Sequence, residues 1–146
     1  MPPRSAPCYR LLWVGRRAQD PLYAAAAGYA ERLGQYVHFQ LVQVRASQAL
    51  LGSLVAGQRT VALDVGGVAR SSLQLAHHLG DWIARGQRQV DFVIGGAEGL
   101  PAPVRARADE LWSLSPMTLP HRLAQVLLTE QLYRAHCILG GSGYHK

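Results

Sequence analysis

Apolar and polar positions along this chain switch repeatedly between two periods. The run YRLLWVG over residues 9–15 is apolar enough for a buried strand. Leu22, Ala26, Tyr29 and Leu33 then recur at helical spacing within residues 21–36. VHFQLVQV, residues 37–44, partly alternates like a half-buried strand, and a short weak helix over residues 48–55 follows. TVALDVGG predicts a strand from Thr60 that ends at Asp64 and a double glycine, ahead of a helix from Ser71 or Ser72 to Arg85. QVDFVIGGAEGL repeats that arrangement with a strand to Ile94, a glycine turn and a short helix opening at Pro101. LWSLS is a fifth short strand, and residues 119–136 form the last helix. Strands alternating with helices predict an α/β fold built on a parallel sheet.

In open sheets of this kind, ligands bind beyond the carboxyl ends of the strands. Three such ends carry unusual residues: LDVGG, IGGAEG and SPMTLPH, and these loops form the candidate site. IGGAEG does not have the G-x-G-x-x-G spacing of a dinucleotide site, and the only lysine is Lys146, so no Walker lysine exists. Adjacent glycines let a backbone approach a ligand closely, although on sequence physics alone a tight turn with no ligand is the preferred reading. Asp64 reads as a turn residue and Ser71 or Ser72 as a helix N-cap. His77 and His78 are adjacent on a helix and diverge around it. Cys8 and Cys137 read as packing residues, and with no zinc spacing no metal site is expected.

The last predicted helix carries more information. Leu119, Leu123, Leu127, Glu130 and Arg134 fall on one side, and Leu128 and Leu132 on the other. A helix apolar on two sides is buried on two sides, which in a small protein predicts one side against its own sheet and the other against a partner subunit. Glu130 and Arg134, four residues apart, suit an ion pair, and burying them unpaired would cost several kcal/mol. His121 at the helix start reads as a base, a ligand contact or a cap. The terminal GGSGYHK joins an aromatic ring, an imidazole and a cation to a flexible stretch, a composition suited to contacting nucleic acid.

Composition narrows the function. At 146 residues and 49% hydrophobic, the chain fits one domain over residues 1–146, with residues 1–8 expected to be mobile. No apolar run approaches the roughly 20 residues of a membrane span, so no membrane partner is expected. The start lacks the apolar core of a secretion signal and cysteines are few, which points to the cytoplasm. The formal charge is +6, and 14 of the 15 basic residues are arginine, making a polyanionic partner plausible. Residues 1–73 hold eight arginines against three acidic residues, so the excess lies in the first half.

Taken together, LD-x-x-G, IGG-x-EGL, WSLS-x-x-TLPH, EQLYRA and the terminal YHK resemble the ribosomal large subunit methyltransferase H family of the SPOUT class. The resemblance runs from Tyr9 to Lys146. It implies a SPOUT-type parallel sheet flanked by helices, a C-terminal trefoil knot over roughly residues 90–146, and a homodimer. It also implies methylation of N3 of a pseudouridine in large-subunit (23S) rRNA, in the assembled ribosome, with S-adenosylmethionine as cofactor and no DNA partner. Periodicity alone predicts no knot. By matching positions, the cofactor would contact Leu63, Gly95 and Gly96, and the loop residues Leu114, Ser115, Pro116, Met117, Thr118 and Leu119. His121, Glu130, Arg134, Tyr144 and His145 would form the catalytic set, with His121, Glu130 and His145 as alternative bases. Tyr144, His145 and Lys146 resemble a tail that reaches the partner's site and grips RNA.

The chain departs from the family pattern at Gln125, where arginine is common, at Gly143, where proline is common, and in the nearly uncharged segment 46–57. Val68, after LD-x-x-G, is a further departure. The competing readings are a non-catalytic RNA-binding or ribosome-binding dimer and a methyltransferase acting on tRNA; cofactor binding and the labelled RNA distinguish them.

Overall fold

The computed structural model describes residues 1–15 and 20–145. Among them five strands and their connections follow the predicted alternation: β1 (Cys8–Val14), α1 (Pro21–Leu33), β2 (His38–Val44), a 3-10 turn (Ser47–Ala49) running into α2 (Leu50–Ser53), β3 (Arg59–Ala69), α3 (Ser72–Ala84), β4 (Gln89–Ile94), α4 (Ala102–Arg107), β5 (Glu110–Ser113) and α5 (His121–Leu139). The strands form one sheet in the order β2-β1-β4-β3-β5, and every pairing is parallel, as predicted.

Side-chain alternation assigns the two faces of the sheet. Tyr9, Leu11, Val61, Phe92 and Trp112 point to the face covered by Leu33 of α1, Leu79 and Trp82 of α3, and Leu128 and Leu132 of α5. Leu12, Ala62 and Val93, one residue out of phase, meet Leu50, Leu54 and Val104 on the other face. A strand buried on both faces reads as a continuous apolar run, which is why YRLLWVG and VDFVIGG carry so little polarity. Each fully buried leucine contributes about 2 kcal/mol of apolar transfer to this arrangement.

Two predicted boundaries need correction. β3 does not stop at Asp64; it continues to Ala69, and both Leu63 and Val68 pair with Trp112, so the intervening residues bulge out of the ladder. Gly67 makes the return possible, because a Cβ there would sit 2.5 Å from the Leu111 carbonyl carbon. α5 begins at His121, with Pro120 in the cap position, and it runs past His136 to Leu139. Pro120 has no N–H to lose at a helix start.

Ser71 caps α3 as expected: its hydroxyl accepts from the Gln74 N–H at 3.1 Å and the Gln74 side chain accepts from the Ser71 N–H at 2.8 Å. Cys137 is buried, but Cys8, expected to pack, is exposed. Within residues 1–8, Ala6 and Pro7 are buried, the Cys8 N–H donates to the Arg88 carbonyl, and the Pro7 carbonyl accepts from the His38 N–H.

Candidate active site

The carboxyl ends of β3, β4 and β5 surround a cavity of about 670 Å³. The bulge of β3 supplies Leu63 and Asp64, the IGGAEG turn supplies Gly95 and Gly96, and the segment after β5 supplies Leu114, Ser115, Met117, Thr118 and Leu119. Pro116 is exposed and lies outside the lining. Ile94 and Trp112, not among the residues expected at the site, also line the cavity. They are apolar residues at or beside strand ends, and their position next to the glycine and SPMTL loops was the available signal.

Backbone closure shapes this cavity. The Gly99 N–H donates to the Gly96 carbonyl at 2.9 Å, and Gly99 has φ +85°, a conformation that favours glycine. A Cβ on Gly95 would lie 2.5 Å from the Gly99 carbonyl carbon. Across the cavity, the Ser113 hydroxyl donates to the Ser115 carbonyl at 2.9 Å and the Ser115 hydroxyl accepts from the Met117 N–H at 3.0 Å. Asp64 is the turn residue it was expected to be: its carboxylate accepts from the Gly66 N–H at 2.9 Å and from Arg105 at 2.8 Å.

A second cluster is made of side chains. Glu130 accepts from Arg134 at 2.7 and 2.9 Å, from Gln131 at 2.9 Å and from the Tyr144 hydroxyl at 3.1 Å. Arg134 also donates to Nδ1 of His145 at 3.1 Å, and its guanidinium lies 4.8 Å above the Tyr144 ring. Tyr144 packs edge-on against Tyr133 with centroids 4.8 Å apart, so the tail folds back onto α5. Burial and the Glu130 carboxylate push the Tyr144 hydroxyl up to about 12, and the hydrogen bond to Glu130 raises Arg134 as well. Both groups are therefore fixed in their protonated forms at neutral pH. Lys146 lies outside the described residues.

The structure thus gathers Glu130, Arg134, Tyr144 and His145, while His121 stands apart on the rim of the cavity. Nine residues of helix separate His121 from Glu130, roughly 13 Å along the axis. The outer stripe of α5 is only partly covered by its own chain: Leu127 is exposed while Leu128 and Leu132 are fully buried. Asp20, the N-cap of α1, accepts from Arg122 and ties the start of α5 to α1. Gln125 is buried, and its Nε2 finds no hydrogen-bond partner among the described residues.

A parallel sheet with a glycine turn and a wrapping loop at its carboxyl edge, followed by a long closing helix, is the arrangement of a SPOUT methyltransferase. A family model described as predicted SPOUT methyltransferase matches residues 8–145. Solved structures of low identity share the fold. A probable methylase family protein from Haemophilus influenzae superimposes with a TM-score of 0.60 at 12% identity, over 94% of this chain and 70% of that one. The SpoU methyltransferase AviRb from Streptomyces viridochromogenes, solved in complex with AdoMet, gives 0.55 at 16% identity, over 96% and 61%. Curated relatives are far nearer in sequence. The ribosomal RNA large subunit methyltransferase H of Sorangium cellulosum is 44% identical, over 90% of this chain and 94% of that protein. The protein of the same name from Gluconacetobacter diazotrophicus is 45% identical, over 94% and 96%. The chain belongs to the ribosomal RNA large subunit methyltransferase H family.

Proposed function

We propose that this protein transfers a methyl group from S-adenosylmethionine to N3 of a pseudouridine in large-subunit rRNA, in the cytoplasm and on the assembled ribosome. The reading rests on family membership, and the observation that carries it is the backbone-built cavity at the carboxyl edge of the sheet. Its volume falls within the range of sites for small cofactors. Its glycine turn has no room for a Cβ at Gly95, because the main chain of Gly99 and Leu100 closes directly over it. The lining pairs apolar residues, among them Leu63, Ile94, Trp112 and Leu114, with polar ones such as Asp64, Ser115 and Thr118, a mixture that fits a nucleoside cofactor. Leu63, Gly95, Gly96 and residues 114–119 would hold it.

When bound, S-adenosylmethionine supplies a methyl group activated by the adjacent sulfonium. The chain's part is to align the acceptor, exclude water and remove the N3 proton. Of the three alternative bases, Glu130 already accepts from Arg134, Gln131 and Tyr144, and His145 accepts from Arg134 at Nδ1. His121 lines the cavity itself. This supports His121 as the proton acceptor, with Glu130 anchoring Arg134 and Tyr144 and with His145 held beside them to engage RNA.

The separation along α5 supports a homodimer in which the tail cluster of one protomer completes the cavity of its partner. A single chain keeps the two apart, and the outer stripe of α5 is left partly uncovered. The fold is proposed to be one domain, with residues 90–146 threaded as a trefoil knot. The test is methyl transfer to ribosomes, free large subunits and naked rRNA, with the product nucleoside identified. Labelling of N3 in a pseudouridine of the large subunit is expected. Labelling of tRNA alone overturns the substrate assignment, and failure to bind S-adenosylmethionine overturns the enzymatic reading. Light scattering of the active species checks the dimer, and an active monomer would refute it.

A further inference from the structure

Trp112 occupies a distinctive place. It lines the cofactor cavity and also a second cavity of about 300 Å³ bounded by α3 and α5. It is 3% exposed, and its backbone pairs with both Leu63 and Val68 at the two ends of the β3 bulge. Trp112 therefore contributes to one wall of the cavity and, through its backbone, to the frame of the bulge.

What holds the indole is a carboxylate that the proposed reaction does not use. Oε1 of Glu110 accepts from Trp112 Nε1 at 3.1 Å and from His78 Nε2 at 2.8 Å, and it faces Arg70 at 3.6 Å. Oε2 accepts from Arg59 at 3.0 Å. Rings complete the enclosure. Trp112 stacks on Trp82 with centroids 5.7 Å apart and planes 20° from parallel, and the His78 ring lies 6.0 Å from it at a steep angle. Arg70 and Arg59 lie over Trp112 and Trp82 at 5.5 and 5.6 Å. Burial pushes the Glu110 carboxyl up, but the hydrogen bonds from Trp112 and His78 and the charge of Arg59 outweigh it and hold the group below its usual range. The carboxylate is charged at neutral pH, and charge-assisted hydrogen bonds are the stronger kind.

We infer that Glu110 is a positioning residue for the cofactor site, acting through the Trp112 indole that it fixes against the cavity. The inference rests on the reading that this cavity holds S-adenosylmethionine. A general stabiliser of the sheet edge would also be buried and hydrogen-bonded. A positioning role differs in requiring that the effect on the cofactor pass through Trp112.

Calorimetric titration of S-adenosylmethionine into the full-length protein, its E110A, W112F and E110A/W112F variants, and E110Q tests this. Folding of each is first confirmed by circular dichroism. E110A is expected to weaken cofactor binding roughly tenfold, the size of one lost charge-assisted hydrogen bond, and to raise the cofactor KM by a similar factor with kcat nearly unchanged. E110Q, whose amide oxygen still accepts from the indole but carries no charge, recovers part of the loss. In the W112F background, which has no indole N–H, E110A adds less than about twofold.

An undiminished E110A effect in that background overturns the positioning role, as does unchanged binding by E110A alone. If E110A does not fold, His78→Ala replaces it, with a smaller weakening that must likewise vanish in W112F. Failure of the unaltered protein to bind S-adenosylmethionine sinks the reading of the cavity, whereas normal binding with an indifferent E110A sinks only this inference.

Discussion

The strand-end cavity and the tail cluster adjoin the same helix, yet they are made from different parts of the polypeptide. Around the cavity, the main chain sets the shape and apolar side chains such as Ile94, Trp112 and Leu114 complete the walls: Gly95 and Gly99 meet backbone to backbone, Gly67 lets β3 fall back onto β5, and Asp64, Ser113 and Ser115 serve to shape turns. In the cluster the backbone is ordinary helix, and the arrangement lies in the carboxylate, guanidinium, phenol and imidazole of Glu130, Arg134, Tyr144 and His145. A backbone-built site tolerates changes in side chains but not added atoms at its glycines. A side-chain-built site has the opposite sensitivities, and substitutions in the two regions should separate binding from chemistry.

The largest effect is expected at Gly95. An alanine there places Cβ 2.5 Å from the Gly99 carbonyl carbon. Since neither partner is the flexible end of a side chain, the turn must open, at a strain of roughly 1–3 kcal/mol. On the proposed reading that this turn holds the cofactor, Gly95→Ala should lower S-adenosylmethionine affinity about 100-fold. Calorimetry checks this, and full affinity in a folded variant would break the distinction between the regions.

Next comes Glu130→Ala, which leaves Arg134 without its ion pair and Tyr144 without its acceptor. Methyl transfer to ribosomes should fall by about two orders of magnitude, in the range typical of lost positioning at a reaction centre, while cofactor affinity stays within about twofold. A parallel loss of both would break the separation of binding from chemistry between the two regions, despite the roughly 13 Å of helix that lies between them in one chain.

The underside of α5 gives a third and smaller effect. Nε2 of His136 lies 2.9 Å from the Tyr9 hydroxyl, and burial lowers the His136 imidazole to about 4 while raising the Tyr9 phenol. The unfolded chain protonates this histidine near its ordinary value, and the folded chain resists until about pH 4. The neutral-histidine contribution is therefore complete above the ordinary value and is lost as pH falls from there toward 4, by at most about 3 kcal/mol. Urea midpoints from pH 7 to 4 should fall accordingly, and His136→Phe should flatten that part of the profile.

Much of this was legible in the chain and some could not be. The parallel α/β class follows from period alone, since YRLLWVG and VDFVIGG are too apolar for one-sided strands. The three site loops follow from that class and its ligand rule. The extent of β3 was not legible, because it depends on Gly67 meeting Leu111 across 44 positions, a contact that local pattern does not encode. The ion pair of Glu130 and Arg134 could be read from its spacing. That Tyr144 and His145 return to it could not, because the glycines of GGSG specify freedom and not direction. Trp112 was read as part of a strand and of the WSLS-x-x-TLPH motif; Glu110 lies only two positions away, but the His78 contact that completes the cluster spans 32 positions, which local pattern does not encode.

The smallest expected effect discriminates most finely. Met117 lines the cavity, but its side chain is 76% exposed, and its N–H is held by the Ser115 hydroxyl. If the cavity is built from backbone, Met117→Ala keeps the main chain in place and removes atoms that largely face water. Cofactor affinity should then change by less than about threefold, the loss of a partly buried side chain. Ser115→Ala removes the hydroxyl that fixes the same N–H and should cost more, although Ser115 is the smaller residue. The reverse order would mean that the loop grips with its side chains, and that the contrast between a main-chain cradle and a side-chain cluster does not extend to the residues before α5.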